Sequence, residues 1–271
     1  MKFRGPLNNF IMRRIEVSDA LALLMADGQK PVRVLLGSGG IATEERRTLY
    51  RSLVSEHFSK TPEVVFVPFA SDDHSGYTSR MQDFLGASSQ RLIGLHESRS
   101  PKDTISRASA IYVGGGNSFL LAKELQERGL IGPIRDRVLS GARYLGVSAG
   151  ANICCPSIMT TNDMPIVYPN SLDSLGILPF QINPHYYPGK IIFREGEDFM
   201  DHFGETRARR ISEFHRFNDI PVLGLWEGSF VFWDGISGRL SGKATAFRKD
   251  EEPVLHTDGF RFDKSLLSMN E

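Results

Sequence analysis

The chain has 271 residues, enough for one large domain or two small ones. It carries 32 basic and 32 acidic residues, so its net charge is zero, and 41% of it is hydrophobic. That balance gives no electrostatic footprint for nucleic acid or an anionic membrane, and neither is an expected partner. The two cysteines, Cys154 and Cys155, are adjacent. Adjacent thiols lack the spacing of a metal site or a disulfide framework, so they read as small core residues in a reducing compartment.

Residues 1–30 mix basic residues with Glu16, Asp19 and Asp27. A secretory signal needs a longer apolar core, and an Arg-rich targeting peptide is poor in acids. The expectation is a helical extension over 1–31, a single domain over 32–271, and a cytoplasmic location. No run reaches the roughly 18 apolar residues of a membrane span.

From residue 31 strand and helix signals alternate. PVRVLLGSGG is an apolar, β-branched run ended by glycines. TEERRTLYRSLVSEHF has helical periodicity, with Leu49, Leu53, Val54 and His57 on one face. EVVFVPFA predicts a buried strand, and HSGYTSRMQDFLG a helix closed by Gly86. ASAIYVGGG is a third strand. NSFLLAKELQERG is a helix capped by Asn117 or Ser118 and closed by Gly129. A short helix at PIRDRVLSG leads into the strand RYLGV. Beyond Cys155 a Pro- and Asn-rich loop system holds one strand, ILPFQI. Residues 205–216 are helical, VLGLWEGSFVFW is a strand with an interruption at Glu227-Gly228, and the tail is short strands.

The strands are continuous apolar runs, the mark of a parallel sheet covered on both faces. With helices between them, the expected fold class is α/β: a doubly wound, mostly parallel sheet flanked by helices. Ligands in such sheets sit at the carboxyl ends of the strands. Three glycine-rich endings, at 37–40, 114–117 and 146–150, therefore point to one edge.

GVSAG at 146–150, after a strand and before a helix, is the pattern of a nucleophile elbow. Side chains two residues either side of Ser148 would clash across so sharp a turn. The hydroxyl is held at a helix N-terminus, where negative charge is favoured. A serine nucleophile needs a base. Of seven histidines, His185 stands at a strand end in INPHYY, beside a proline that restricts its backbone. The base needs an acid to orient it. Asp163, in the loop TTNDMPIV, and Glu227, inside an apolar run, are both candidates. Backbone N–H groups of Gly115 and Gly116, with that of Ala149, suit an oxyanion hole. The same glycines lack the GxGxxG spacing or Walker lysine of a nucleotide loop.

Taken in order, IYVGGGNSF, YLGVSAGANICCP, TTNDMPIVYP, LPFQINPHY, GETRARRI and GLWEGS resemble the peptidase E (aspartyl dipeptidase) family, from about residue 32 to the last strands. The resemblance implies a class I glutamine amidotransferase-like fold and a serine peptidase without metal or other cofactor. The implied substrate is a small peptide with N-terminal aspartate, cut through an acyl-enzyme by a monomer or homodimer. It makes Ser148 the nucleophile and His185 the base. It leaves Asp163 and Glu227 both open as the acid. Glu227, set in an apolar strand end, is the more rigidly held, which would free Asp163 to bind the substrate amine. Arg207 in GETR would grip the aspartyl carboxylate bidentately, with Asn117 as a further substrate contact. The N-terminal extension and the stretch FREGEDFMDHFGETR depart from the family pattern. Two other readings stay open: a cyanophycinase-like serine hydrolase, and an amidotransferase-like domain that binds without catalysis.

Overall fold

The computed structural model describes residues 31–86, 90–202 and 204–269. The helix expected in the N-terminal extension falls on residues outside that set.

Five parallel strands form the middle of the molecule. They are β1 (Arg33–Gly37), β2 (Glu63–Val67), β3 (Arg91–Gly94), β4 (Ala110–Val113) and β5 (Arg143–Val147). Their side-by-side order is β1-β5-β4-β2-β3. Along β1, Val34 and Leu36 pack to one side and Leu35 to the other, and all three are buried. This is why the strands read as unbroken apolar runs: both faces are covered.

Helices α1 (Glu44–His57) and α2 (His74–Leu85) cover one face. Helices α3 (Pro101–Arg107), α4 (Ser118–Glu127), α5 (Ile131–Leu139) and the single turn α6 (Ala149–Asn152) cover the other. In α1 the buried face carries Tyr50, Val54 and His57. Leu49, expected on that face, is exposed, and Tyr50 is buried in its place. The 3-10 turn Leu95–Glu97 and α3 are too short to carry a period in the sequence.

A second sheet stands beside the first. It contains β6 (Gln181–Tyr186), β9 (Val222–Trp226), β12 (Ala244–Phe247) and β13 (Val254–His256), in the order β13-β12-β9-β6. The exposed hairpin β7 (Ile192–Glu195) and β8 (Asp198–Asp201) leads to helix α7 (Arg207–His215), which packs Ile211 and Phe214 on this sheet. At Glu227-Gly228 the chain leaves the second sheet. It enters the first as β10 (Phe230–Trp233), antiparallel to β1 and followed outward by β11 (Gly238–Ser241) and β14 (Arg261–Phe262). The interruption in VLGLWEGSFVFW is thus a change of sheet. The architecture is α/β with a mostly parallel central sheet flanked by helices. No described helix is long and apolar enough to cross a membrane.

Candidate active site

The three glycine-rich endings lie at the carboxyl ends of adjacent strands, β1, β5 and β4. Ser148 follows β5 directly, with φ 56° and ψ −112°. A Cβ on Gly146 would stand 2.1 Å from the Gly150 carbonyl oxygen, and one on Gly150 would stand 2.1 Å from that of Val113. Neither position accepts any side chain, which is the steric demand of the turn. The Ser148 N–H is anchored on the Gly37 carbonyl at 2.9 Å.

The Ser148 hydroxyl lies 2.8 Å from His185 Nε2, and His185 Nδ1 lies 2.6 Å from Glu227 Oε1. An ionised carboxylate only accepts, so Nδ1 carries the proton and Nε2 is left to accept from Ser148. His185 sits inside β6, one residue before its end, rather than beyond a strand as the sequence suggests. Its backbone has φ 56° and its N–H donates to Ser38 Oγ at 2.7 Å. Ser38, fully buried, donates onward to the Leu225 carbonyl at 2.9 Å. One hydroxyl therefore links the ends of β1, β6 and β9. The hydrogen bond from His185 holds the Glu227 pKa below the usual carboxylate value, against the upward push of partial burial. Arg46 and Arg207 add to the lowering.

Asp163 is placed elsewhere. Its Oδ2 accepts from the Ser118 N–H at 2.7 Å, at the N-terminus of α4, where the helix dipole favours a carboxylate. Asn117 caps the same helix: Oδ1 accepts from the N–H groups of Phe119 and Leu120, both at 3.0 Å. Its Nδ2 donates to the Met164 carbonyl at 2.9 Å. The Asn117 side chain thus ties the Asp163 loop to α4.

The Gly115 N–H faces the Tyr77 hydroxyl, whose pKa is raised by burial and partly brought back by that contact. Among the described residues, the N–H groups of Gly116 and Ala149 have no protein acceptor. Arg207 opens α7, next to the capping Thr206. Its neighbours Arg209 and Arg210 pair with Glu213 and Glu205, while Arg207 has no ion-pair partner among the described residues. Its guanidinium lies 5.8 Å from the Tyr187 ring centroid. Burial lowers its pKa, and Tyr187, Asp163 and Glu227 act in the opposite direction. That places an unpaired cation within the electrostatic reach of both carboxylates.

Ser38 and Tyr77 were not singled out in the sequence. A serine within GSGG reads as turn chemistry, and nothing local to Tyr77 announces a partner 38 positions away at Gly115. Cys154 and Cys155 are fully buried beneath the turn, and burial pushes the Cys155 thiol up to about 12. Among the described residues, no group of three or more His, Cys, Asp or Glu is placed to hold a metal ion.

Residues 34–240 match the model of peptidase family S51. The Streptomyces coelicolor protein named peptidase E is 43% identical over 192 residues, 70% of this chain and 76% of that one. Peptidase E of Salmonella arizonae is 41% identical over 215 residues, 78% of this chain and 90% of its own length. Among solved structures, a Listeria monocytogenes protein described as a candidate peptidase E superposes with a TM-score of 0.55 at 21% identity, covering 84% of this chain and 98% of its own. A peptidase from an acI-B1 Actinobacterium gives a TM-score of 0.57 at 15% identity, over 86% and 97%. These two likenesses concern the fold, which is class I glutamine amidotransferase-like. From the family match and the identities above 40%, the chain belongs to peptidase family S51 and is a serine-type hydrolase of peptide bonds.

Proposed function

We propose that this peptidase is a dipeptidase that removes an N-terminal aspartate from short peptides through an acyl-enzyme. The observation that carries the reading is the unbroken hydrogen-bond chain Ser148–His185–Glu227 beside an unpaired, half-buried Arg207.

The aspartyl side chain of the substrate pairs with the Arg207 guanidinium, whose planar fork suits a carboxylate. The second Asp163 oxygen takes the substrate's free amine. His185 Nε2 accepts the Ser148 proton as Oγ attacks the carbonyl carbon. The oxygen that becomes negative is received by the N–H groups of Gly116 and Ala149, at the start of α6. Gly115, whose N–H is met by Tyr77, shapes the loop more than it donates. His185 then gives its proton to the leaving nitrogen, and the C–N bond breaks. Water enters and loses a proton to His185 as its oxygen attacks the acyl carbon; His185 then returns that proton to Ser148 Oγ as the ester C–O bond breaks and aspartate leaves. Glu227 stabilises the imidazolium in both halves and is the third member of the triad. Asn117 holds the loop and does not touch substrate.

The test is a panel of X-Leu dipeptides against wild type, Ser148→Ala and Arg207→Ala. Wild type cleaves Asp-Leu well ahead of Ala-Leu and Lys-Leu. Ser148→Ala loses about 10⁴-fold or more in kcat. Arg207→Ala loses the preference for aspartate. Full activity in Ser148→Ala, or an unchanged aspartate preference in Arg207→Ala, contradicts the reading.

A further inference from the structure

A cavity of about 140 Å³ opens at the strand ends next to Ser148, with Gly115 and Val147 in its lining and Arg207 outside it. Ile41, Met81 and Phe84 wall it. Its floor is Tyr50 and Tyr112, whose hydroxyls bond each other. Each phenol is thereby satisfied, and burial raises both their pKa values, so the floor asks nothing of a ligand. Among the described residues, no charged side chain lines the cavity.

Its rim joins it to the catalytic atoms. Gly115 lines it, and a Cβ on that glycine would lie 3.7 Å from Ser148 Oγ. Gly39 lines it too, and a Cβ there would lie 3.0 Å from His185 Cε1. The residue that departs in peptide cleavage takes its proton from His185 Nε2, so its nitrogen must stand next to that ring. Arg207 stands among Tyr187, Asp163 and Glu227, none of which lines the cavity. On the dipeptidase reading Arg207 holds the residue kept on Ser148, which leaves the cavity for the one that departs.

We propose that this cavity receives the side chain of the leaving residue and selects an apolar one of leucine or methionine size. The inference rests on the dipeptidase reading and adds a substrate class to it: Asp-X with X apolar. An apolar pocket discriminates by about 10-fold or more for each methylene it fills or loses, and it offers nothing to a charged side chain.

The experiment measures kcat/KM for Asp-Leu, Asp-Met, Asp-Gly and Asp-Lys on wild type, Met81→Trp and Ile41→Trp. Ile41 is 44% exposed, so the second variant guards against a folding failure in the first. Wild type favours Leu and Met over Gly and Lys by about 10-fold or more. The two variants shrink the Leu-to-Gly ratio at least about 10-fold. A flat wild-type series, or equal losses on every peptide in both variants, overturns the proposal. A second readout needs no aspartyl substrate: protection of Ser148 from a fluorophosphonate. L-leucinamide slows labelling of wild type more than glycinamide does, and the tryptophan variants lose the difference. If no Asp-X peptide is cut but leucinamide protects, the dipeptidase reading falls and the cavity stands. If leucinamide and glycinamide protect alike, the cavity proposal falls.

Discussion

Ser148 and His185 share a backbone signature. Both are non-glycine residues with φ of 56°, in a region that L-residues rarely enter. Such a conformation costs on the order of 1–3 kcal/mol and persists only where surroundings enforce it. For Ser148 the enforcement is the pair of flanking glycines and the Gly37 carbonyl; for His185 it is the Ser38 hydroxyl. The glycine pair is written in GVSAG, which is why the serine can be picked out from sequence. The Ser38 contact is not, because it joins residues 147 positions apart. The sequence leaves the acid open between two carboxylates; in the structure Glu227 bonds His185, and Asp163 bonds a helix N-terminus. We expect Glu227→Gln, which disturbs the tautomer while keeping the shape, to lower kcat by about 10²–10⁴-fold. Asp163→Asn keeps most of kcat and raises KM. Steady-state kinetics on Asp-Leu check this, and a larger kcat loss in Asp163→Asn would reverse the assignment.

At the scale of elements, the long periodic helices and the apolar strands are legible. The 3-10 turn Leu95–Glu97 and α3 are not, because three to seven residues carry no helical period. The buried face of α1 carries Tyr50 where the sequence pattern points to Leu49. That face includes His57, whose Nε2 lies 3.0 Å from the Tyr144 carbonyl on β5. Burial, reinforced by Arg143, pulls its pKa down to about 4. The folded form thus holds a neutral imidazole that the unfolded chain protonates near pH 6.5. With the folded pKa below the unfolded one, this contribution is complete above pH 6.5 and is lost as pH falls toward 4. Its full extent is about 3 kcal/mol. We expect His57→Gln, which can still donate to Tyr144, to lose less thermal stability than wild type between pH 7 and 5. Parallel melting curves would contradict this.

At the scale of the molecule, a mostly parallel sheet was legible from the unbroken apolar runs, and the site edge from three glycine-rich strand ends. The second sheet was not, since nothing local says that β9 and β10 belong to different sheets. Only the positive φ of Gly228 marks the crossing. That crossing is what brings Glu227 to His185: the carboxylate sits where the chain steps from one sheet to the other, with the Gly228 N–H held on the Gly39 carbonyl at 2.9 Å. Ser148, His185 and Glu227 thus come from three separate chain segments that the two sheets bring into one hydrogen-bonded row. The most direct measurement is peptide mapping by mass spectrometry after treatment with a fluorophosphonate. One adduct, on Ser148, is predicted for wild type, with labelling strongly slowed in His185→Ala and absent in Ser148→Ala. An adduct on another residue, or undiminished labelling of Ser148→Ala, would contradict the account.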